Sequence, residues 1–95
     1  LFFSPDRGPR LEGATVGFLR LRPGARFPEH KHLGHEQVFT LAGGFRDEKD
    51  GVEYGPGDLQ ELDAGTSHSF IGVEGPDCLC LGIVLNGIEV AGVKI

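Results

Sequence analysis

Three of the chain's four histidines, His30, His32 and His35, fall within six residues, and a carboxylate, Glu36, follows at once. In an extended segment, residues two apart face the same side, so His30 and His32 present both imidazoles in one direction. After a turn at 33–35, a strand starting at Glu36 is expected to run back antiparallel to the first and return a carboxylate to the same space. His68 follows turn residues at 63–67 and opens an apolar strand, from which it would complete a set of three imidazole nitrogens and one carboxylate oxygen. Mixed donors of this kind suit a divalent ion such as zinc, iron, manganese, nickel or cobalt. The expected ligands of one ion per chain are therefore His30, His32, Glu36 and His68. His35, within the turn, is expected to face solvent.

Such side chains need a scaffold that holds them from distant points of the sequence. Sixteen glycines and six prolines are spread along all 95 residues, and no stretch keeps the period of a helix, so the chain reads as all-β. Strands are expected over 15–22, 36–43, 59–62, 68–73 and 79–85, each bounded by Gly, Pro or Asp. A hairpin is expected at Asp50-Gly51, because Asp-Gly suits the two positive φ angles of a type I′ turn. The charged run from Arg46 to Asp50 reads as the solvated end of that hairpin. Phe39 and Phe70 read as packing residues, and Tyr54 and Asp63 as ordinary strand-end and turn residues. Cys78 and Cys80 share one strand face at a spacing poorly suited to an intrachain bridge. They read as small buried residues, or as redox-responsive thiols beside the metal should that face be the interior. Apolar patches at both termini read as edge strands or dimer contacts.

Length allows one domain, 1–95, and a chain beginning at Leu1 rather than Met reads as a piece of something longer. Fourteen acidic residues against nine basic ones give a net charge of -5 with no basic run, which excludes phosphate-binding surfaces and hence nucleic acid as an expected partner. The longest apolar run, from Cys78 to Leu85, is far below the roughly 20 residues that a membrane-crossing helix needs. No membrane association is expected. The unpaired spacing of the cysteines and the lack of a charged-then-apolar opening point to a reducing, cytoplasmic setting.

The residues Gly24, His30, His32, Glu36 and Gly43 resemble the first motif of the cupin superfamily, over 24–43, at every position. Gly57, Gly65 and His68 resemble the second, over 57–72, although Asp63 stands where proline is usual and Gly72 where asparagine is usual. Within the superfamily, "LRLRPGARFPEHKHLGHEQVFTLAGGFRDE", "YGPGD" and "GTSH" are similar to the C-terminal cupin of ChrR-type zinc-binding anti-sigma factors and their stand-alone relatives. The resemblance implies a single small jelly-roll-like β-barrel with the metal inside. It also implies a sensory or regulatory role, in which a cupin responding to singlet oxygen or peroxide is coupled to a flanking helical zinc-binding domain that holds a sigma factor. No His-x3-Cys-x2-Cys segment of that helical domain occurs in the chain, so direct sigma-factor binding is not expected of these residues themselves.

The expected function is thus a metal-binding regulatory cupin, with a regulatory protein as partner through a flanking domain, a small-molecule effector, and a homodimer formed through uncovered strand edges. The alternative is a small metal-dependent dioxygenase acting on an organic substrate, because one barrel hosts both. An enzyme would show an apolar pocket at an open metal position with an acid or base nearby. Metal-free binding of a sugar or small acid ranks last while all four ligands are intact.

Overall fold

A computed structural model of the chain describes residues 2–5 and 14–94. Its regular elements are all strands: β1 (Phe2–Pro5), β2 (Ala14–Leu21), β3 (Arg26–His32), β4 (Glu36–Ala42), β5 (Phe45–Asp47), β6 (Glu53–Tyr54), β7 (Leu59–Leu62), β8 (Ser67–Gly72), β9 (Cys78–Leu85), β10 (Ile88–Val90) and β11 (Val93–Lys94). They pair antiparallel in two sheets, a first in the order β1-β2-β9-β4-β7 and a second in the order β11-β10-β3-β8-β5-β6. The five strands expected from the sequence are β2, β4, β7, β8 and β9, displaced by no more than a residue at an end. Alternation explains how they lie: along β9, Cys78, Cys80 and Val84 are buried while Leu85 is exposed. As expected, the terminal segments supply edge strands, β1 to the first sheet and β11 to the second.

Two expectations about local geometry are overturned. Strands β3 and β4 do not pair with each other: β3 lies between β10 and β8, and β4 lies between β9 and β7. The turn at 33–35 therefore carries the chain from one sheet to the other, and Glu36 reaches the histidines across the interior rather than along a shared sheet. The hairpin between β5 and β6 exists, but its turn is not type I′, because Gly51 alone adopts a left-handed φ, of 75°, and Asp50 does not. The loop is longer, closed by Gly51 N–H donating to the Asp47 carbonyl at 2.8 Å and by the Asp47 and Asp50 carboxylates accepting the N–H groups of Lys49 and Val52, each at 2.9 Å. Side-chain acceptors set this turn in place of the second positive φ.

Leu21, Phe45, Phe70, Cys78 and Cys80 form the apolar core, with Leu19, Phe27, Val38 and Tyr54 packed on it. Phe70 stacks on Phe27 with ring centroids 5.0 Å apart, and Phe45 stacks on Tyr54, also at 5.0 Å. Phe70 thus packs as expected, whereas Phe39 does not: it is 38% exposed on the outer face of β4, beside Leu81 of β9 and Leu59 of β7. Gly72, at the position where cupins usually carry asparagine, has a local cause. A side chain there would overlap the Arg22 carbonyl, so β8 can end against the turn after β2 only as glycine.

Candidate metal centre

The first requirement of the site is that His30 face inward. Phe27 and His30 are three residues apart, so an unbroken strand would point them to opposite sides. A bulge between them changes this: Phe27 pairs with Phe70 and His30 with His68, so β3 spends one more residue than β8 over the same span. Pro28, which has no N–H to give to a ladder, lies in the bulge, and its carbonyl accepts the Nδ1–H of His30 at 2.9 Å. Phe27 and His30 consequently meet inside with ring centroids 4.9 Å apart.

The three histidines form a nearly equilateral triangle, with ring centroids separated by 4.6, 4.7 and 4.9 Å. Each Nδ1 is engaged outward by an oxygen that can accept: the Pro28 carbonyl for His30, the Thr66 carbonyl at 2.9 Å for His32, and the Asp47 carboxylate at 2.7 Å for His68. The proton therefore sits on Nδ1 and each Nε2 keeps a lone pair directed inward. His32 and His68 are almost wholly buried, and their Nε2 atoms have no hydrogen-bond partner. Glu36 Oε1 comes within 3.0 Å of His32 Nε2 from the opposite sheet without the alignment of a hydrogen bond. One donor atom from each of His30, His32, Glu36 and His68 lies within 4.8 Å of all the others, and all four residues are buried. Unpaired buried nitrogens are costly on their own, whereas three neutral imidazoles and a carboxylate around one point fit a divalent cation. Burial holds the pKa of His30 below the ordinary imidazole value, with His68 and His32 adding to the effect, so it stays a neutral donor.

Asp47 is the residue that the sequence misassigns. It belongs to the charged run read as a solvated hairpin end, yet it is 3% exposed. Its Oδ2 accepts from His68 Nδ1 and from Gln60 Nε2, both at 2.7 Å. Burial pushes its carboxyl pKa upward, but the bonds from His68, the Lys49 amide and Gln60 outweigh this and hold it below the usual carboxylate range. The available signal is period two: Phe45 and Asp47 share the inner face of β5, while Arg46 between them is exposed. Around Asp47 the run does meet solvent, where Arg26 and Glu48 form an ion pair, and that bond holds the Glu48 carboxyl below its ordinary pKa.

An apolar cavity of about 260 Å³ opens from the ligand cluster between the sheets. His30 and Glu36 stand at its polar end, and Phe18, Phe27, Val38 and Phe70 are among its apolar walls. Cys80 also lines it. Cys78 and Cys80 are buried and unbridged, with sulfurs 3.3 Å apart. The hydrogen bond with Cys80 and burial push the Cys78 thiol upward, while the hydrogen bonds of Cys80 with Cys78 and Thr40 pull the Cys80 thiol down. His35 is partly exposed, 3.7 Å from the outward-facing Asp63, and stands outside the cluster as expected.

Two facing antiparallel sheets around three histidines and a glutamate define a cupin. A family model described as the ChrR cupin-like domain matches residues 7–84, and the chain belongs to that family. It is 37% identical over 70 residues to the anti-sigma-E factor ChrR of Cereibacter sphaeroides, an alignment covering 73% of this chain and 32% of that protein. The crystal structure of Rhodobacter sphaeroides SigE in complex with the anti-sigma ChrR matches with a TM-score of 0.74 and 32% identity, covering 87% of this chain and 42% of the matched one. An RmlC-like cupin protein from Ralstonia eutropha JMP134 matches with a TM-score of 0.78 and 26% identity over 90% of this chain and 55% of the other. The chain thus spans about a third of the curated relative that it matches.

Proposed function

We propose that this chain is the metal-holding regulatory cupin of an anti-sigma-factor-type protein, with one divalent ion bound by the Nε2 atoms of His30, His32 and His68 and by the Glu36 carboxylate. The observation that supports it most directly is the outward tethering of all three Nδ1 atoms, which leaves buried Nε2 atoms without partners. When bound, the ion supplies a Lewis-acid centre at the polar end of the cavity. Glu36 comes from the first sheet and the histidines from the second, so ligation would tie the two sheets together. Loss of that tie, or capture of an effector in the cavity, would alter how the barrel meets a neighbouring domain or subunit. Cys80 adds a thiol to the same cavity, and its oxidation by a peroxide, which would itself be reduced to water or an alcohol, would change that space. The likeness to ChrR supports a sigma-factor system as the setting, and a homodimer through uncovered edges belongs to the same proposal.

The dioxygenase reading has the apolar cavity in its favour. It is second because the buried carboxylate beside the cluster, Asp47, stands behind His68 and does not line that cavity. Elemental analysis of protein purified without added metal, paired with oxygen uptake on small diketones and thiols, tests both readings. The expected result is near one divalent ion per chain without turnover. Sustained oxygen consumption would move the assignment to the enzyme, and a metal-free protein that rejects added ions would end both.

A further inference from the structure

Gly82 sits in the interior of β9, where glycine weakens a strand by leaving its backbone freer and its face bare. Backbone conformation does not require it, because its φ lies outside the left-handed region. Packing does not require it either. A Cβ at Gly82 would meet nothing closer than the Gly17 carbonyl oxygen at 3.9 Å, whereas one at Gly34, Gly43, Gly44 or Gly72 would overlap a neighbour. Gly82 pairs across the first sheet with Gly17 of β2 on one side and Val38 of β4 on the other. All three line the cavity. What this row of the sheet provides is empty space beside the ligand cluster.

We propose that Gly17 and Gly82 form the floor of a ligand chamber and set its size, and that the chamber takes a compact apolar monocarboxylate whose carboxylate faces the metal centre. The proposal deepens the metal-centre reading and rests on it. A volume of about 260 Å³ equals about nine waters at about 30 Å³ each, room for one ring or one branched chain. Phe18, Leu19, Phe27, Phe70 and Ile88 offer that body no hydrogen bonds and Thr15 brings a single hydroxyl, so a sugar-like ligand would lose most of its hydroxyl partners there. A divalent ion held by three neutral imidazoles and one carboxylate keeps one net positive charge. The Asp47 carboxylate offsets that charge only from behind the His68 ring, so in apolar surroundings one anionic head could still meet the ion directly, whereas a second would be left unpaired.

Sodium benzoate titrated into metal-loaded protein by calorimetry, with metal content measured on the same samples, tests this. The expected result is saturable binding to the loaded wild type, weaker by at least about ten-fold in Gly82→Val and in wild type stripped by chelator. Gly82→Val keeps the wild-type metal content, and its thermal midpoint reports that it folds. Should that variant unfold, Gly82→Ala reads the same contrast at about four-fold, the worth of one buried methyl. Undiminished benzoate affinity in a folded, loaded Gly82 variant overturns the proposal, as does no binding to loaded wild type. A wild type that holds no ion defeats the metal reading separately, and toluene then replaces benzoate: weaker toluene binding in Gly82→Val supports the glycine floor, and equal binding overturns it.

Discussion

The inner face of β3, β5 and β8 carries His30, His32, His68, Asp47, Phe45 and Phe70, whereas the inner face of β2, β4 and β9 opposite carries Gly17, Leu19, Val38, Cys80, Gly82 and one ligand candidate, Glu36. One sheet is crowded with rings whose polar atoms are fixed by hydrogen bonds, and the other is thin and partly bare. The lesson is a separation of tasks. Directional chemistry is placed where each donor can be braced from behind, and room for another molecule is left where side chains are small. The carboxylate of Glu36 needs less bracing than an imidazole, since either oxygen can serve, and it stands alone on the open side.

This contrast can be broken experimentally. The largest effect is expected from His68→Ala, which removes a braced donor and takes from the buried Asp47 carboxylate its imidazole partner, leaving only Gln60 and the Lys49 amide. Metal content should fall from near one per chain to near zero, while Glu36→Gln should keep a measurable fraction at saturating metal. The reverse order in elemental analysis would mean that the first sheet dominates binding. Next, Asp47→Asn should weaken metal affinity by about 10–100-fold, as expected when the outer partner of a ligating histidine is altered. Competition with a chromogenic chelator measures it, and wild-type affinity would show that the brace is dispensable.

Smaller again is an acid response on the outer side of the second sheet. Glu48 has its folded pKa lowered, chiefly by the hydrogen bond from Arg26, from an ordinary value of 4.5. Its contribution to stability is present above that value and is lost as pH falls through the lowered one. The thermal midpoint should therefore drop less between pH 5 and pH 3 in Arg26→Gln than in wild type, about those two pH values as bounds of the carboxylate range. Identical drops would deny the pair any role. Least of all, Leu59→Ser on the exposed outer face of the first sheet should change stability by under about 0.5 kcal/mol in urea denaturation. A larger loss would mean that this face is covered in solution.

Legibility in the sequence followed the kind of physics involved. His30, His32, Glu36 and His68 were readable because their types are rare and their spacing fits a known motif, and they do converge. The strands β2, β4, β7, β8 and β9 were readable from apolar runs between turn residues. Strand β3 was seen only as an extended segment, since "RFPEHKH" hides its period behind charged residues and a bulge. The partner of β4 was misread because a short turn usually joins neighbours in one sheet, whereas here it joins two sheets. Asp47 was missed because a carboxylate in a charged run looks solvated until its neighbour Phe45 fixes which face is inside. Gly82 carried no signal, because an absent side chain has meaning only beside the space it leaves.

The bulge at Pro28 and Glu29 has one more consequence. His30 and His68 are register partners, so sliding β3 along β8 by a single residue would turn both β3 imidazoles, His30 and His32, outward and leave His68 without them. An ion that needs the histidines of both strands would be retained only by a barrel zipped in the correct alignment. Metal uptake would then act as proofreading of assembly, and the loaded fraction of a preparation would count its correctly built molecules.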